Sequence, residues 1–189
     1  PTATRSATHK VNVTTEVGRS LKELKKKNNA HYDDHVRAMD DELEKVKTFE
    51  VFEDVLECDI TNKAMIVNSI LLFAEKYGKN NEFVEAKCRL AAQGFTQQEG
   101  LSYFDTYAAT PQDATWRYMM SLAASHNFEV LKQIDWTSAF FMPILQEAVY
   151  LRMPAELRQY NWNAVQGKYF EVYKKCRRAI YGLKQSGRK

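Results

Sequence analysis

The sequence predicts an α+β fold with a mostly antiparallel sheet and packed helices. Short runs rich in β-branched and aromatic residues predict the strands, and two of these runs flank a polar turn. Apolar residues at helical spacing predict two helices. With 44% hydrophobic and 12% aromatic residues, the 189-residue chain can build a core, as one domain or two small ones.

The first third of the chain divides into a tail and the start of a domain. Residues 1–33 are rich in Thr, Lys and Asn without periodicity, and they predict a flexible tail or linker before a domain over 34–189. A helix opens that domain, with acidic residues at its start. Its apolar stripe consists of Val36, Met39, Leu43 and Val46. TFEVFEDV, 48–55, predicts a strand.

The centre of the chain predicts a β-hairpin. Residues 64–74 are apolar and fit a buried strand or helix, and their length favours the strand. GKNN, 78–81, has turn chemistry, and residues 82–95 then form the returning arm. Residues 96–112 are polar and predict a loop.

The second half predicts one more helix and three strands. Asp113 is expected to cap the helix, whose apolar stripe we expect in the core. That stripe contains Trp116, Met119, Met120, Ala123 and Ala124. The strands are expected at 128–135, 148–153 and 168–174, with Pro143 ending a short helix between the first two.

Charge is spread unevenly, although the net charge is only +3. Residues 33–59 hold eleven acids and three bases, whereas residues 168–189 hold eight bases and one acid. The basic end fits a polyanion partner, and two ordinary solvated faces fit the same pattern.

Other function classes find little support. Cys58, Cys88 and Cys176 are odd in number and far apart, which argues against a disulfide framework or zinc site and favours a reducing cytoplasmic or nuclear setting. His31 and His35 have ligand spacing on a helix, but a solvated acidic turn is the preferred interpretation. The longest apolar run is too short to span a bilayer, and no secretory signal is visible, so no membrane partner is expected.

Asp135 is the most informative residue. It lies within QIDWTSAFF, 133–141, where it ends an apolar run and precedes a turn of small residues and two phenylalanines. This position is expected at the edge of the predicted core. A carboxylate there fits a metal site, and it also fits a cap on the turn at Thr137 and Ser138. No aspartate follows it in the sequence, whereas a hard cation needs several oxygen ligands.

Four segments in order resemble the reverse transcriptase of copia-type LTR retrotransposons. They are KCRLAAQGFTQQEGLSYFDTYAAT (87–110), QIDWTSAF (133–140), LQEAVYLRMP (145–154) and AIYGLKQSGRK (179–189). A weaker match at 38–51 extends the resemblance over roughly residues 36–189. It implies the fingers and the first part of the palm of a right-hand polymerase, within a Pol polyprotein.

The resemblance implies an RNA-directed DNA polymerase that binds an RNA template, a DNA primer and a dNTP. Asp135 would be catalytic and hold Mg²⁺, of which such enzymes use two, roughly 3.5–4 Å apart. Lys87 and Arg89 would neutralise the triphosphate, although ordinary surface charge is the alternative. Phe140 would lie under the sugar of the nucleotide, or simply in the core.

Other matched residues are expected to contact nucleotide or nucleic acid. Tyr181 and Gly182 would contact the nucleotide, with Gly182 permitting close backbone approach. Phosphate and template contacts are expected from Lys174, Lys175, Arg177, Arg178, Lys184 and Gln185. The aromatic residues Tyr169, Phe170 and Tyr173 could stack on bases, but as strand residues they are expected in the core.

The chain also departs from the family pattern. Gly187 stands in place of a proline, Pro143 in place of a glycine, and Leu71 in place of a tryptophan. The second carboxylate motif, the thumb and the RNase H are not in the sequence, so we expect no polymerase activity from these residues alone and low stability in isolation. A non-catalytic nucleic-acid-binding remnant is the alternative, and a structural role for the acidic segment is a third.

Overall fold

The computed structural model describes residues 13–106, 112–128 and 138–187. Asp135 lies outside the described residues, together with all but the first residue of the strand predicted to deliver it. The side chain of Phe140 also lies outside them.

The described residues form a sheet of seven strands with three helices. The strands are β1 (Val13–Gly18), β2 (Phe52–Leu56), β3 (Ile66–Tyr77), β4 (Phe83–Ala92), β5 (Tyr150–Arg152), β6 (Tyr160–Asn163) and β7 (Lys168–Cys176). The helices are α1 (Leu21–Lys26), α2 (Tyr32–Thr48) and α3 (Asp113–Ser125). Mixed helix and strand content is therefore confirmed.

The strand order is β1-β3-β5-β7-β2, with β4 also paired to β3 and β6 to β7. The β3–β5 pair is parallel, and the other described strand pairs are antiparallel. This agrees with the mostly antiparallel sheet expected from the sequence. The division into fingers and palm stays a prediction.

The central hairpin is confirmed. β3 and β4 pair from Ser69 opposite Ala92 to Tyr77 opposite Phe83. Alternate residues of β3, such as Leu71 and Phe73, are fully buried, as the period of two along a strand requires. The hairpin therefore contributes buried side chains to the core against which neighbouring segments pack.

The helix predicted after the tail is also confirmed, as α2. Its apolar stripe packs in two directions: Met39 contacts the cluster around Leu71 and Phe73, and Val46 contacts the cluster around Val67 and Leu151. α2 therefore ties the hairpin to the β5–β7 part of the sheet.

Part of the expected tail is ordered. β1 pairs with β3, and Ser20 caps α1 by accepting a hydrogen bond from the Glu23 amide at 3.0 Å. Leu24 is fully buried in the hairpin core. Within its described residues, this segment buries one large side chain, that of Leu24, and adds one strand to the edge of the sheet. Neither feature produces a periodic sequence pattern, so the composition predicted a tail. The domain boundary near residue 33 stays a prediction.

The expectation for α3 is wrong in one respect. The helix exists, but Trp116, Met119 and Met120 are each about half exposed, and of the predicted stripe only Ala123 is buried in the structure. Asp113 lies in the first turn, and Gln112 occupies the N-cap position. Helical spacing predicted the helix correctly, but it cannot show whether another element covers the stripe.

Among the described residues, no helix combines the length and the apolar character that crossing a bilayer requires.

Candidate functional site

The two cations matched on the hairpin project from one face of β4. Lys87 and Arg89 alternate with Cys88 and Leu90, which are buried. The Lys87 ammonium lies 3.2 Å from the Glu85 carboxylate. The Arg89 guanidinium lies over the ring of Tyr181, 5.6 Å from its centroid. Residues 92 apart in sequence thus meet in a cation–π contact.

Tyr181 reaches this position because two backbone segments touch. The Ala92 amide donates to the Tyr181 carbonyl at 2.8 Å. Gly182 has φ +84, and a Cβ there would lie 2.2 Å from the Ala92 carbonyl oxygen. A Cβ on Gly94 would similarly lie 2.0 Å from the Gly182 oxygen. The close approach expected at Gly182 is therefore made within the chain, against β4.

A hollow of about 310 Å³ opens beside these residues. Its lining comes from α2, β4, the 181 turn and residue 138, and consists of Ala38, Asp41, Glu42, Lys45, Glu85, Ala86, Lys87, Cys88, Arg89, Ser138 and Tyr181. Ser138 follows Asp135 by three residues and has φ +58, a left-handed conformation that is uncommon for a non-glycine residue. Such backbone conformations cluster at functional sites.

A buried carboxylate faces the cations of this hollow. Glu42 is 5% exposed, and its burial raises its pKa, opposed by a hydrogen bond from the Leu90 amide and by the charges of Lys45 and Arg89. Burial also raises the pKa of Tyr181, helped by Glu42 and opposed by Arg89. A carboxyl group held at an energetic cost beside an arginine is typical of functional sites.

The cysteine of the hollow is not a reactive thiol. Burial, with a smaller contribution from the nearby charge of Glu42, raises the pKa of Cys88 to about 12. The thiol of Cys88 is therefore not suited to nucleophilic attack.

The turn that follows Gly182 is held by amide side chains. Gln185 is fully buried; it accepts from Gln97 Nε2 at 3.0 Å and donates to the Ser102 carbonyl at 3.1 Å. Lys184 is exposed, with its ammonium 3.1 Å from the Tyr103 hydroxyl. In this arrangement Gln185 fixes the turn, while Lys184 stays accessible to a ligand.

The C-terminal cations lie elsewhere, and acids of β2 face two of them. Register places Asp54 opposite Lys174 and Glu53 opposite Lys175, with charged atoms 2.6 and 4.0 Å apart. The acidic and basic ends recognised in the sequence thus partly neutralise each other within the sheet.

Two arginines complete the C-terminal group. Arg178 donates to the Met142 carbonyl at 2.8 Å, and Arg177 lines a separate hollow of about 500 Å³ together with Lys174. The structure thus brings Lys87, Arg89 and Tyr181 together and does not bring Lys174 or Arg177 to them.

The interleaved aromatic residues of β7 have different environments. Tyr173 is buried, as expected for a core residue, and Phe170 is partly buried under Lys168. Tyr169 is 68% exposed, so the core expectation is wrong for this residue.

The two histidines do not form a solvated turn. His35 is fully buried, with Nε2 3.0 Å from Glu75 Oε1, and His31 stacks on Phe83 at 3.6 Å between ring centroids. The reason is that α2 turns this face towards β3, which sequence alone did not reveal. No cluster of three or more Asp, Glu, His or Cys side chains that could hold a metal ion occurs within the described ranges.

Sequence reasoning missed several residues of the site. Glu42 was hidden among the other acids of α2, and Ser138 carried no pattern beyond its position after Asp135. Gln97 lies in a segment that resembles the family, but only the structure shows that it anchors the 181–186 turn through Lys184 and Gln185.

These features define an α+β domain with a hollow of mixed charge between a β-hairpin, a helix and a glycine turn. A family profile described as reverse transcriptase (RNA-dependent DNA polymerase) matches residues 58–189. The chain belongs to this family, and its curated relatives identify it as the copia type.

Three curated relatives are retrovirus-related Pol polyproteins of plant transposons. The chain is 28% identical to those of transposons RE1 and RE2 of Arabidopsis thaliana over 123 residues. It is 32% identical to that of transposon TNT 1-94 of Nicotiana tabacum over 117 residues. The matches cover 62–65% of this chain and 8% of each polyprotein. No solved structure matches the chain significantly.

Proposed function

We propose that this chain is the part of a copia-type reverse transcriptase that binds the incoming deoxynucleotide and guides the template–primer. The observation that carries the proposal is the convergence of Lys87, Arg89 and Tyr181 on one hollow, with Ser138 at its wall. Family membership supplies the reaction, which is addition of a deoxynucleotide to a primer end.

The triphosphate is the portion of the nucleotide that this hollow suits. Arg89 presents a planar guanidinium that can donate two parallel hydrogen bonds to phosphate oxygens, and Lys87 adds a second positive charge on the same face. Asp41, Glu42 and Glu85 are the opposing charges. We infer that Glu42 and Glu85 keep the cations oriented until the triphosphate competes for them.

Asp135 is the residue we propose for magnesium. Ser138 at the wall of the hollow supports it, because Asp135 precedes Ser138 by only three residues. When bound, the metal would stabilise charge on the reacting phosphoryl oxygens. A single carboxylate holds Mg²⁺ weakly, so we propose that further oxygen ligands come from the rest of the polyprotein or from the nucleotide.

The template–primer is assigned to the exposed cations outside the hollow. Lys184 is exposed within the 181–186 turn, and Arg177, which follows β7 directly, is also exposed. Lys174 and Lys175 already face carboxylates of β2, so we propose that they contribute less than Lys184 and Arg178, whose partners are uncharged.

Calorimetric titration of dTTP with Mg²⁺ into the chain tests the nucleotide site. We expect Arg89→Ala to weaken binding roughly tenfold or more, because it removes charge-assisted hydrogen bonds. Lys174→Ala is the matched control, since it removes one cation that already faces Asp54, and its affinity should stay within about twofold. Equal losses in both variants, or an unaffected Arg89→Ala, would overturn the site.

Primer extension tests the role of Asp135. We expect no magnesium-dependent synthesis from these 189 residues by themselves, because one carboxylate does not hold a metal pair. Synthesis that disappears in Asp135→Ala would contradict the expected incompleteness and support the metal role.

A further inference from the structure

A row of exposed aromatic rings lies on the β6–β7 hairpin, away from the residues assigned to the nucleotide. Tyr160 and Trp162 are each 55% exposed, and Tyr169 is 68% exposed. Register places Trp162 opposite Tyr169, and the two rings meet edge to face with centroids 5.1 Å apart. Contiguous exposed rings of this size mark an interaction site more often than scattered single ones do.

The three rings share one face of the hairpin. Directly paired residues project to the same side, as do residues two apart on one strand. Tyr160 and Trp162 are two apart on β6, and Tyr160 pairs with Glu171, which is two residues after Tyr169. The row therefore runs along the strands and ends at Glu171.

Arginines continue the row beyond Glu171. Arg152 binds the Glu171 carboxylate through two nitrogens, at 3.0 and 2.7 Å, and Arg158 approaches it at 3.3 Å. Both arginine side chains remain about one-third exposed. The rings thus lead directly to two fixed cations whose side chains are partly exposed.

A basic hollow of about 540 Å³ lies past these arginines. Its charged lining consists of Arg19, Lys22, Arg152, Arg158 and Glu156. Glu156 is already engaged, because it accepts hydrogen bonds from the amides of residues 21 and 22. The balance stays positive when Glu16 and Glu171, which pair with the arginines, are counted.

We propose that this surface, the rings Tyr160, Trp162 and Tyr169 with Arg152, Arg158 and Lys22, binds a single-stranded nucleic acid. Flat rings at strand spacing stack on successive bases without regard to sequence, and the cations at the end of the row contact the backbone phosphates. The site is separate from the hollow beside Arg89, and it rests on the proposed function only in taking nucleic acid as its ligand.

Fluorescence anisotropy of a labelled single-stranded dT20 tests the surface in the full 189-residue chain. We expect binding that weakens about tenfold for each ring removed in Trp162→Ala and Tyr169→Ala, since each stacked base contributes a comparable factor. Tyr118→Ala is the control, because it removes a ring that is also 68% exposed but lies on α3. Arg89→Ala should leave dT20 binding intact, which separates this surface from the nucleotide site.

Photo-crosslinking of U20 followed by peptide mapping covers the case of a variant that does not fold. We expect adducts on the peptides carrying Trp162 and Tyr169. Wild-type chain that ignores dT20, ring variants that bind within twofold of wild type, or adducts confined to other peptides would overturn the proposal. So would sedimentation showing that the rings hold two chains together, which assigns the row to a protein partner.

Discussion

A buried glutamate lies at each end of the contact between α2 and the central hairpin, and the two differ in their hydrogen bonds and in the direction of their pKa shift. At one end Glu75 accepts hydrogen bonds from Asn29 Nδ2 at 2.7 Å, from the Tyr77 hydroxyl and from buried His35. Burial opposes ionisation of Glu75, but these hydrogen bonds outweigh it and hold the pKa below its usual value.

At the other end Glu42 lies beside the hollow that contains Arg89. Burial dominates there, and the pKa of Glu42 is raised. Its hydrogen bond from the Leu90 amide is long, at 3.4 Å, and the Lys45 ammonium is 4.0 Å away. The satisfied carboxylate stabilises the fold, whereas the one held at a cost lies in the candidate site.

The largest expected effect concerns Gly182, in the turn that lines the hollow beside Arg89. Gly182→Ala should lower the free energy of unfolding by about 3 kcal/mol or more, because it combines a left-handed backbone with a backbone clash. Gly100→Ala is the matched control, with φ +76 but nothing within 4 Å of the added Cβ, and should cost only about 1 kcal/mol. Urea denaturation measures both, and equal losses would mean that the contact with Ala92 is unimportant.

The hydrogen-bond network around Glu75 should make the free energy of unfolding sensitive to acid. Glu75→Ala should destabilise the chain by about 2–3 kcal/mol at pH 7, because it leaves buried hydrogen-bond partners unsatisfied. The stability that Glu75 adds is present above the unfolded-state pKa near 4.5 and is lost as pH falls through the lower folded-state value. In Glu75→Gln this component of the acid dependence should be missing, whereas Glu44→Gln, 70% exposed on α2, should behave like wild type.

Urea midpoints between pH 7 and pH 3 measure this dependence. An unchanged acid profile in Glu75→Gln would contradict the assignment of the network.

The contribution of Glu42 to stability should change with pH in the opposite direction to that of Glu75. A raised folded-state pKa means that stability is lost as pH rises through it, so ionised Glu42 opposes folding at neutral pH. Glu42→Gln should therefore increase the free energy of unfolding by up to about 1 kcal/mol at pH 7 and have little effect at pH 4. Denaturation at both pH values checks the sign, and a loss of stability at pH 7 would make Glu42 structural, like Glu75.

Patterns of short range were readable in the sequence. The length of the apolar run 64–74, the returning segment 82–95 and the turn residues between them predicted the β3–β4 hairpin. The stripe on α2 predicted that helix, and the glycine in the 181–186 segment marked a close approach. The family segments predicted that Lys87, Arg89 and Tyr181 bind the nucleotide, which stays a prediction, and the structure brings the three side chains together.

Contacts of long range were not readable. The apolar stripe of α2 packs against the core, whereas the similar stripe of α3 is half exposed at Trp116 and Met119. An apolar stripe shows which face a helix can bury, but it does not show whether another element covers that face. Equally, the register of β2 against β7 decides that Lys174 faces Asp54, and no local pattern encodes that register.

The sequence by itself determined the family, the hairpin and the types of charged residue available, because these depend on local periodicity and on the order of motifs. Only the tertiary structure decided which charges remain available to a ligand and which are bound within the chain. The physical reason is that burial and charge pairing depend on neighbours that are distant in sequence. Such neighbours place Glu75 in a structural hydrogen-bond network and place Glu42 beside Arg89 in the candidate binding site.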